Sequence, residues 1–200
     1  MVIDNKYKEI HGSEGIVVHN GNVVLGLQKE KRWYHLLDHK KVGIIKTIGG
    51  AIEEEDKGSS REALKRELQE EIKDLDSSSM RITSKPIFHK SLKMGQMNRY
   101  ESKSDLQMNA DFYVVEIKKE DSLEPNDLPA IIEIPVEGFL SLMSKQGDID
   151  FSDVRDYIIK NKDRDVELPE RYTLMIPDEV RELFIELNRK IPSNKEEFER

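Results

Sequence analysis

Glu67, Glu70 and Glu71 stand at i, i+3 and i+4 in the run Arg66-Glu67-Leu68-Gln69-Glu70-Glu71. On a helix such positions share a face, with Cβ atoms about 5–6 Å apart. Three carboxylates that close repel one another unless a cation lies between them, and a divalent ion with oxygen ligands is the natural occupant. The plainer reading is a solvated acidic face. It fits poorly, because Ala63 and Leu64 lie one turn behind Glu67 and two further glutamates one turn ahead, so the helix offers it no basic partner. Arg66 has Glu62 behind it and Glu70 ahead. Upstream, Gly49-Gly50 precede the acidic stretch 53–57. Such a pair often only ends a strand, but glycine also lets the backbone approach a ligand and offer it a carbonyl.

These residues need a helix and a strand to hold them. Leu64, Leu68, Ile72 and Leu75 recur as one apolar stripe, with Ser59 or Ser60 as N-cap, which predicts a helix to about residue 73. Residues 42–47 read as the strand that ends at the glycine pair. Before it, 15–28 reads as a hairpin turning at Asn20-Gly21, and 29–41 as an irregular crossover. After the helix, 80–88 and 111–117 are β-rich, with a polar loop over 93–109. A strand at 130–134 leads through Pro135 into a short helix from 136 to about 145. Val154, Tyr157 and Ile158 have helical spacing, as do Val180, Leu183, Phe184 and Leu187 behind Pro177. Residues 192–200 are a charged tail. The pattern predicts an α+β fold, an α/β/α sandwich about a mixed β-sheet, with a helical C-terminal extension. We expect one domain over 1–200, its core about 10–145, and the extension from about 146 packed beside the sheet or over the cleft.

Composition narrows the chemistry. With 32 basic and 40 acidic residues the net charge is −8, which argues against a surface for a nucleic-acid duplex but not against a small phosphorylated ligand held through a metal. The chain has no cysteine, so disulfides, thiolate metal sites and a cysteine nucleophile are excluded. No apolar run approaches a bilayer span, and the first fifteen residues lack a signal-peptide core. A cytoplasmic protein without membrane contact is expected, either monomer or homodimer.

At these residues the sequence resembles the Nudix hydrolases. Their box runs Gly, five residues, Glu, seven residues, Arg-Glu-apolar-x-Glu-Glu-x-Gly-apolar. Here it spans Gly50–Leu75, and Arg66 to Glu71 match its second half in full. Asp56 stands where the first Glu belongs, nine residues rather than seven separate it from Arg66, and counting back seven reaches Gly58. That is a two-residue insertion in the acidic loop. Lys73 replaces the late glycine, so Asp74 is left to take the helix exit, and Ile48 replaces the usual proline. The resemblance implies hydrolysis of a diphosphate (pyrophosphate) linkage in a nucleoside diphosphate joined to another group, with Mg²⁺ or Mn²⁺ as cofactor. It implies Glu67, Glu70 and Glu71 as metal ligands, a carbonyl of Gly49 or Gly50 completing the shell, and Arg66 orienting a glutamate. Many relatives add an acid from a loop as base or ligand. Glu120, Glu124 and Asp127 are best placed for that, with Glu101 weaker.

The alternative is a Nudix-like nucleotide-binding or sensing module without turnover, which the intact carboxylate set disfavours. A diphosphate isomerase of the same fold is disfavoured by the missing cysteine. His11, His19, His35, His39 and His89 show no ligand spacing and are expected at the surface or in loops. Trp33, Tyr34, Tyr100 and Phe112 could stack on a base or lie in the core.

Overall fold

Asn20 and Gly21 have φ of 48° and 81° in the computed structural model, which describes residues 8–35, 41–93, 106–118, 123–145 and 149–190. Two successive positive φ values are what a type I′ turn requires. They close the expected hairpin between β1 (Lys8–His19) and β2 (Asn22–Leu27), with Val17 opposite Val24. There follow β3 (Tyr34–His35), β4 (Lys41–Lys46), β5 (Ile48–Ala51) and α1 (Ser60–Glu71). The middle of the chain adds β6 (Met80–Ile82), β7 (Phe88–Lys93), β8 (Leu106–Ile117), β9 (Ala130–Pro135) and α2 (Val136–Ser144). The last part holds β10 (Ile149–Asp150), α3 (Phe151–Val154), β11 (Ile158–Lys160), β12 (Arg171–Met175) and α4 (Asp178–Lys190).

Among the described residues all twelve strands join one sheet, with the path β10-β12-β4-β2-β1-β8-β6. β1 runs parallel to β8 and β4 parallel to β12, while β2 and β5 lie antiparallel to β1, so the sheet is mixed. Alternation along β1 and β2 sends side chains to two cores. Val17, Val24 and Ile48 meet Leu64, Leu68 and Ile72 on the α1 side. Ile16, Val23 and Leu25 belong to the other core, with Phe139 of α2 and Val180 and Phe184 of α4. The rings of Phe139 and Phe184 meet edge-on at 5.1 Å. The fold is α+β, with helices on both faces of the sheet.

Several elements differ from the sequence reading. β8 begins inside the stretch read as a polar loop, because the buried Met108 and Ala110 alternate with Gln107 and Asn109 along β1. The β-rich run 80–88 breaks at the turn before Pro86, which has no N–H for a ladder, and gives separate strands β6 and β7 on β8. The spacing of Val154, Tyr157 and Ile158 does not make one helix. α3 is a single turn, and Ile158 pairs with Ile132 on β9, so strand pairing overrides the local period. β12 was not anticipated. Tyr172, Thr173 and Leu174 are buried in succession, as in a strand covered on both faces, and so show no alternation to read. His19 is also a correction: it is buried, with Nδ1 2.8 Å from Glu133 Oε1 across the sheet. His11 and His89 are exposed, whereas His39 and the 192–200 tail lie outside the described residues. No helix among the described residues is long and apolar enough to cross a membrane.

Candidate active site

Helix α1 is fixed at both ends and along one side. Ser59 Oγ accepts from the Glu62 amide at 3.3 Å, a standard N-cap. Leu64 and Leu68 are fully buried against the sheet, which sets Glu67 against β5 and leaves Glu71 lining the same cavity. At the C-terminus, Asn126 does what a helix-ending glycine would otherwise favour. Its amide donates to the Glu71 carbonyl and its Nδ2 to the Glu70 carbonyl, both at 2.9 Å. The chain then turns at Asp74, whose φ of 54° takes the left-handed exit expected there.

The glycine pair makes room for this helix. A Cβ on Gly50 would lie 2.2 Å from Glu67 Oε1, and one on Gly49 would lie 2.1 Å from the Ser13 carbonyl oxygen. Glycine at 50 therefore lets the Glu67 carboxylate rest on the strand itself.

Arg66 is the organiser of the acidic face. Its Nε and Nη2 grip Asp56 at 3.2 and 3.0 Å, and its Nη2 also donates to the Ala51 carbonyl at 3.0 Å. Its Nη1 donates to Glu67 Oε1 at 3.1 Å and Glu70 Oε1 at 3.3 Å. All five guanidinium N–H groups are thereby engaged within the chain. The expectation that Glu67 has no basic partner on its helix is thus corrected: the neighbouring Arg66 curls back onto it. Asp56 is buried and accepts the Glu53 amide at 2.8 Å as well. Its bond from Arg66 holds its carboxyl below the usual range. The insertion, with Lys57 and Gly58 at φ of 51° and 76°, leaves the Asp56–Arg66 contact in place.

Glu67, Glu70 and Glu71 all line one cavity of about 790 Å³. Burial raises the Glu67 carboxyl despite the opposing effect of Arg66. Burial pushes Glu71 up to about 7, with Lys29 opposing and Asp127 and Glu67 adding to the rise. Among the described residues, Glu71 Oε2 is buried without a hydrogen-bond partner, a costly state for a carboxylate oxygen. Glu70 is more open, its side chain 52% exposed.

The other expected acids separate. Asp127 lines the cavity and accepts from both Lys29 and Arg164. Its carboxyl lies below the usual range, the two cations outweighing its burial. Glu124 is not on the cavity wall and accepts from Lys162 at 2.7 Å. Glu101 and Glu120 lie outside the described residues. Of the aromatic candidates, Phe112 is core and stacks on Phe88 at 4.5 Å. Trp33 edges the cavity but is buried, with its indole N–H on the Gln28 carbonyl at 2.6 Å. Tyr100 and the Tyr34 side chain are outside the described residues.

Sequence reasoning missed the part of the cavity lined by β1 and β4. Glu14 of β1, 4% exposed, accepts from Lys46 Nζ at 3.0 Å and from Thr47 Oγ1 at 2.7 Å. Lys46 Nζ also donates to the Gly49 carbonyl at 2.7 Å, so that expected metal-binding oxygen already faces a cation. Lys29, Lys31 and Arg32 line the same cavity, and Met108 and Met175 supply apolar wall. The available signal was charge in strands: Glu14 shares its face with Ile16, and Lys46 follows an apolar run.

Among the described residues no three His, Asp or Glu side chains converge closely enough to hold a metal ion as they stand. The donors nonetheless suit one. Glu71 Oε2 is buried and unpartnered, and burial already disfavours the charge on Glu67 and Glu71, which a divalent ion would relieve.

No protein-family model matches the sequence, and no curated protein matches it. Solved structures with a similar chain path include the Escherichia coli ORF135 protein, at 16% identity and TM-score 0.48, over 94% of this chain and 96% of that one. The E. coli dihydroneopterin triphosphate pyrophosphohydrolase is similar at 14% identity and TM-score 0.45, over 68% and 86% of the two chains. A hydrolase of the NUDIX family from Clostridium perfringens is similar at 14% identity and TM-score 0.44, over 65% and 83%.

Proposed function

We propose that this chain is a Nudix-type, metal-dependent hydrolase that cleaves a diphosphate linkage in a nucleoside diphosphate joined to another group. The observation that carries the reading is the Glu67 carboxylate against Gly50, with Glu71 lining the same cavity of about 790 Å³ and its buried Oε2 left unpartnered among the described residues. Glu67, Glu70 and Glu71 would hold Mg²⁺ or Mn²⁺, with the Gly50 carbonyl as the candidate to complete the shell, since the Gly49 carbonyl accepts from Lys46. The bound ion would neutralise the diphosphate oxygens and activate the attacking water.

The chain's own residues do the rest. Asp56 fixes Arg66, and Arg66 fixes Glu67 and Glu70, so the carboxylates are oriented before substrate arrives. With its carboxyl pushed up to about 7 by burial, Glu71 would give up a proton on holding a cation. Lys29, Lys31 and Arg32 offer the diphosphate positive charge, while Met108 and Met175 supply apolar lining that excludes water. Asp127, held by two cations, places Lys29 rather than acting as a base. In this reading the protein is cytoplasmic and one domain, with residues from about 146 onward completing it.

The test is a panel of dinucleoside polyphosphates, nucleotide sugars and nucleoside triphosphates incubated with Mg²⁺. Release of a nucleoside monophosphate from at least one, abolished by chelator, supports the reading. Tight binding of a nucleotide without any cleavage would instead establish a sensing module.

A further inference from the structure

Lys46 Nζ lies among three oxygens: Glu14 Oε1 at 3.0 Å, Glu14 Oε2 at 3.4 Å and the Gly49 carbonyl at 2.7 Å. Glu14 and Gly49 face each other across the β1–β5 ladder. A side chain at 49 would strike the Glu14 backbone at 2.8 Å, so glycine keeps the gap between them open. The Glu14 carboxylate is almost wholly buried, and an anion so placed needs a charge beside it. A carboxylate and a backbone carbonyl converging on one cation are hard oxygen donors, the set a divalent ion prefers. Here the position is held by an ammonium tethered through β4, on the cavity that Glu67 and Glu71 also line.

We propose that Lys46 is a positioning residue that serves as the site's resident cation. Its ammonium occupies the place on Glu14 and the Gly49 carbonyl that a divalent ion would otherwise take, and so sets how many ions the cavity binds. The proposal rests on the metal-dependent reading above. Ions added to the wild-type protein go to the helix carboxylates alone, because the β1–β5 oxygens are already neutralised by a charge that cannot dissociate. Shortening Lys46 removes that charge, opens the space its stem filled and, among the described residues, leaves the Glu14 carboxylate the Thr47 hydroxyl as its side-chain partner.

The experiment counts bound Mn²⁺ by equilibrium dialysis on the full chain, as wild type, Lys46→Ala and the double variant Glu14→Gln/Lys46→Ala. Lys46→Ala is expected to bind one more Mn²⁺ per chain than wild type, and the double variant to return to the wild-type number. The Mn²⁺-induced rise in melting temperature should likewise be larger in Lys46→Ala than in wild type. An unchanged count in Lys46→Ala overturns the proposal, as does an extra ion that survives loss of the Glu14 charge. Failure of Lys46→Ala to fold even in saturating Mn²⁺ also overturns it, since the ion is what should replace the ammonium. Absence of Mn²⁺ from wild type would contradict the function proposed above, while the difference between the counts still decides the role of Lys46.

Discussion

Glu71→Gln removes one charge from a buried carboxyl of the cavity and keeps its shape. From helix spacing alone, relief of repulsion with Glu67 is worth a few tenths of a kcal/mol. Burial makes it larger. The Glu71 carboxyl is pushed from the ordinary 4.5 to about 7, and its Oε2 has no partner. One unit of such a shift corresponds to about 1.4 kcal/mol. Solvent screening of the exposed part of the group, and the need of the new amide for partners, reduce the gain to about 1–2 kcal/mol. A carboxyl raised on folding holds its proton better in the folded state, so wild-type stability falls as pH rises from about 4.5 through about 7. The variant loses that fall. Without metal at pH 8 it should melt about 2–8 °C above wild type, and at pH 4 the two should nearly coincide. With Mn²⁺ the order reverses, because wild type gains an anionic ligand to the ion and the variant does not. Turnover should drop about a hundredfold or more. The assay is thermal unfolding of both proteins at the two pH values, with chelator and with Mn²⁺. A variant less stable than wild type in chelator at pH 8, or one that keeps the full Mn²⁺ shift, would refute the reasoning.

Gly50→Ala sets a methyl group 2.2 Å from Glu67 Oε1 and should cost about 1–3 kcal/mol by urea unfolding, with a tenfold or greater loss of turnover; an unaltered midpoint would count against the packing described. Asp56→Asn breaks a buried, doubly hydrogen-bonded partner of Arg66 and should cost about 2–4 kcal/mol at pH 7. Because the Asp56 carboxyl is held below 3.8, its contribution is present above that pH and lost as pH falls through the lowered value, so acid unfolding of the variant should be flatter there. A fragment ending at Lys145 loses β12 from beside β4 and α4 from the core of α2, and should not unfold cooperatively; a soluble, cooperative and active fragment would show that residues from about 146 are dispensable.

The helix and its stripe were legible because Leu64, Leu68 and Ile72 repeat with an unambiguous period against one face of the sheet. The hairpin was legible for a local reason too, since Asn20-Gly21 adopts positive φ without cost to its neighbours. What escaped is non-local. β12 is buried in succession beside β4, and β11 exists because β9 had an edge to offer, neither of which leaves a period in the sequence. The acidic helix face was readable by spacing alone, but its organisation was not. That Asp56 would still reach Arg66 across a two-residue insertion, or that Asn126 would close the helix from fifty-odd residues away, depends on how the chain returns. Glu14 and Lys46 are charges in strands that gain meaning only when β1, β4 and β5 come together.

The proposed activity is tested most directly by ³¹P NMR of a mixture of nucleoside diphosphates joined to sugars, nucleosides or phosphate, followed with the full chain in Mg²⁺. Loss of a bridged-diphosphate resonance and growth of a monophosphate resonance is the expected result, absent in chelator and absent in Glu67→Gln/Glu70→Gln/Glu71→Gln. An unchanged spectrum across the mixture, or cleavage that persists in the triple variant, would contradict a hydrolase centred on this helix.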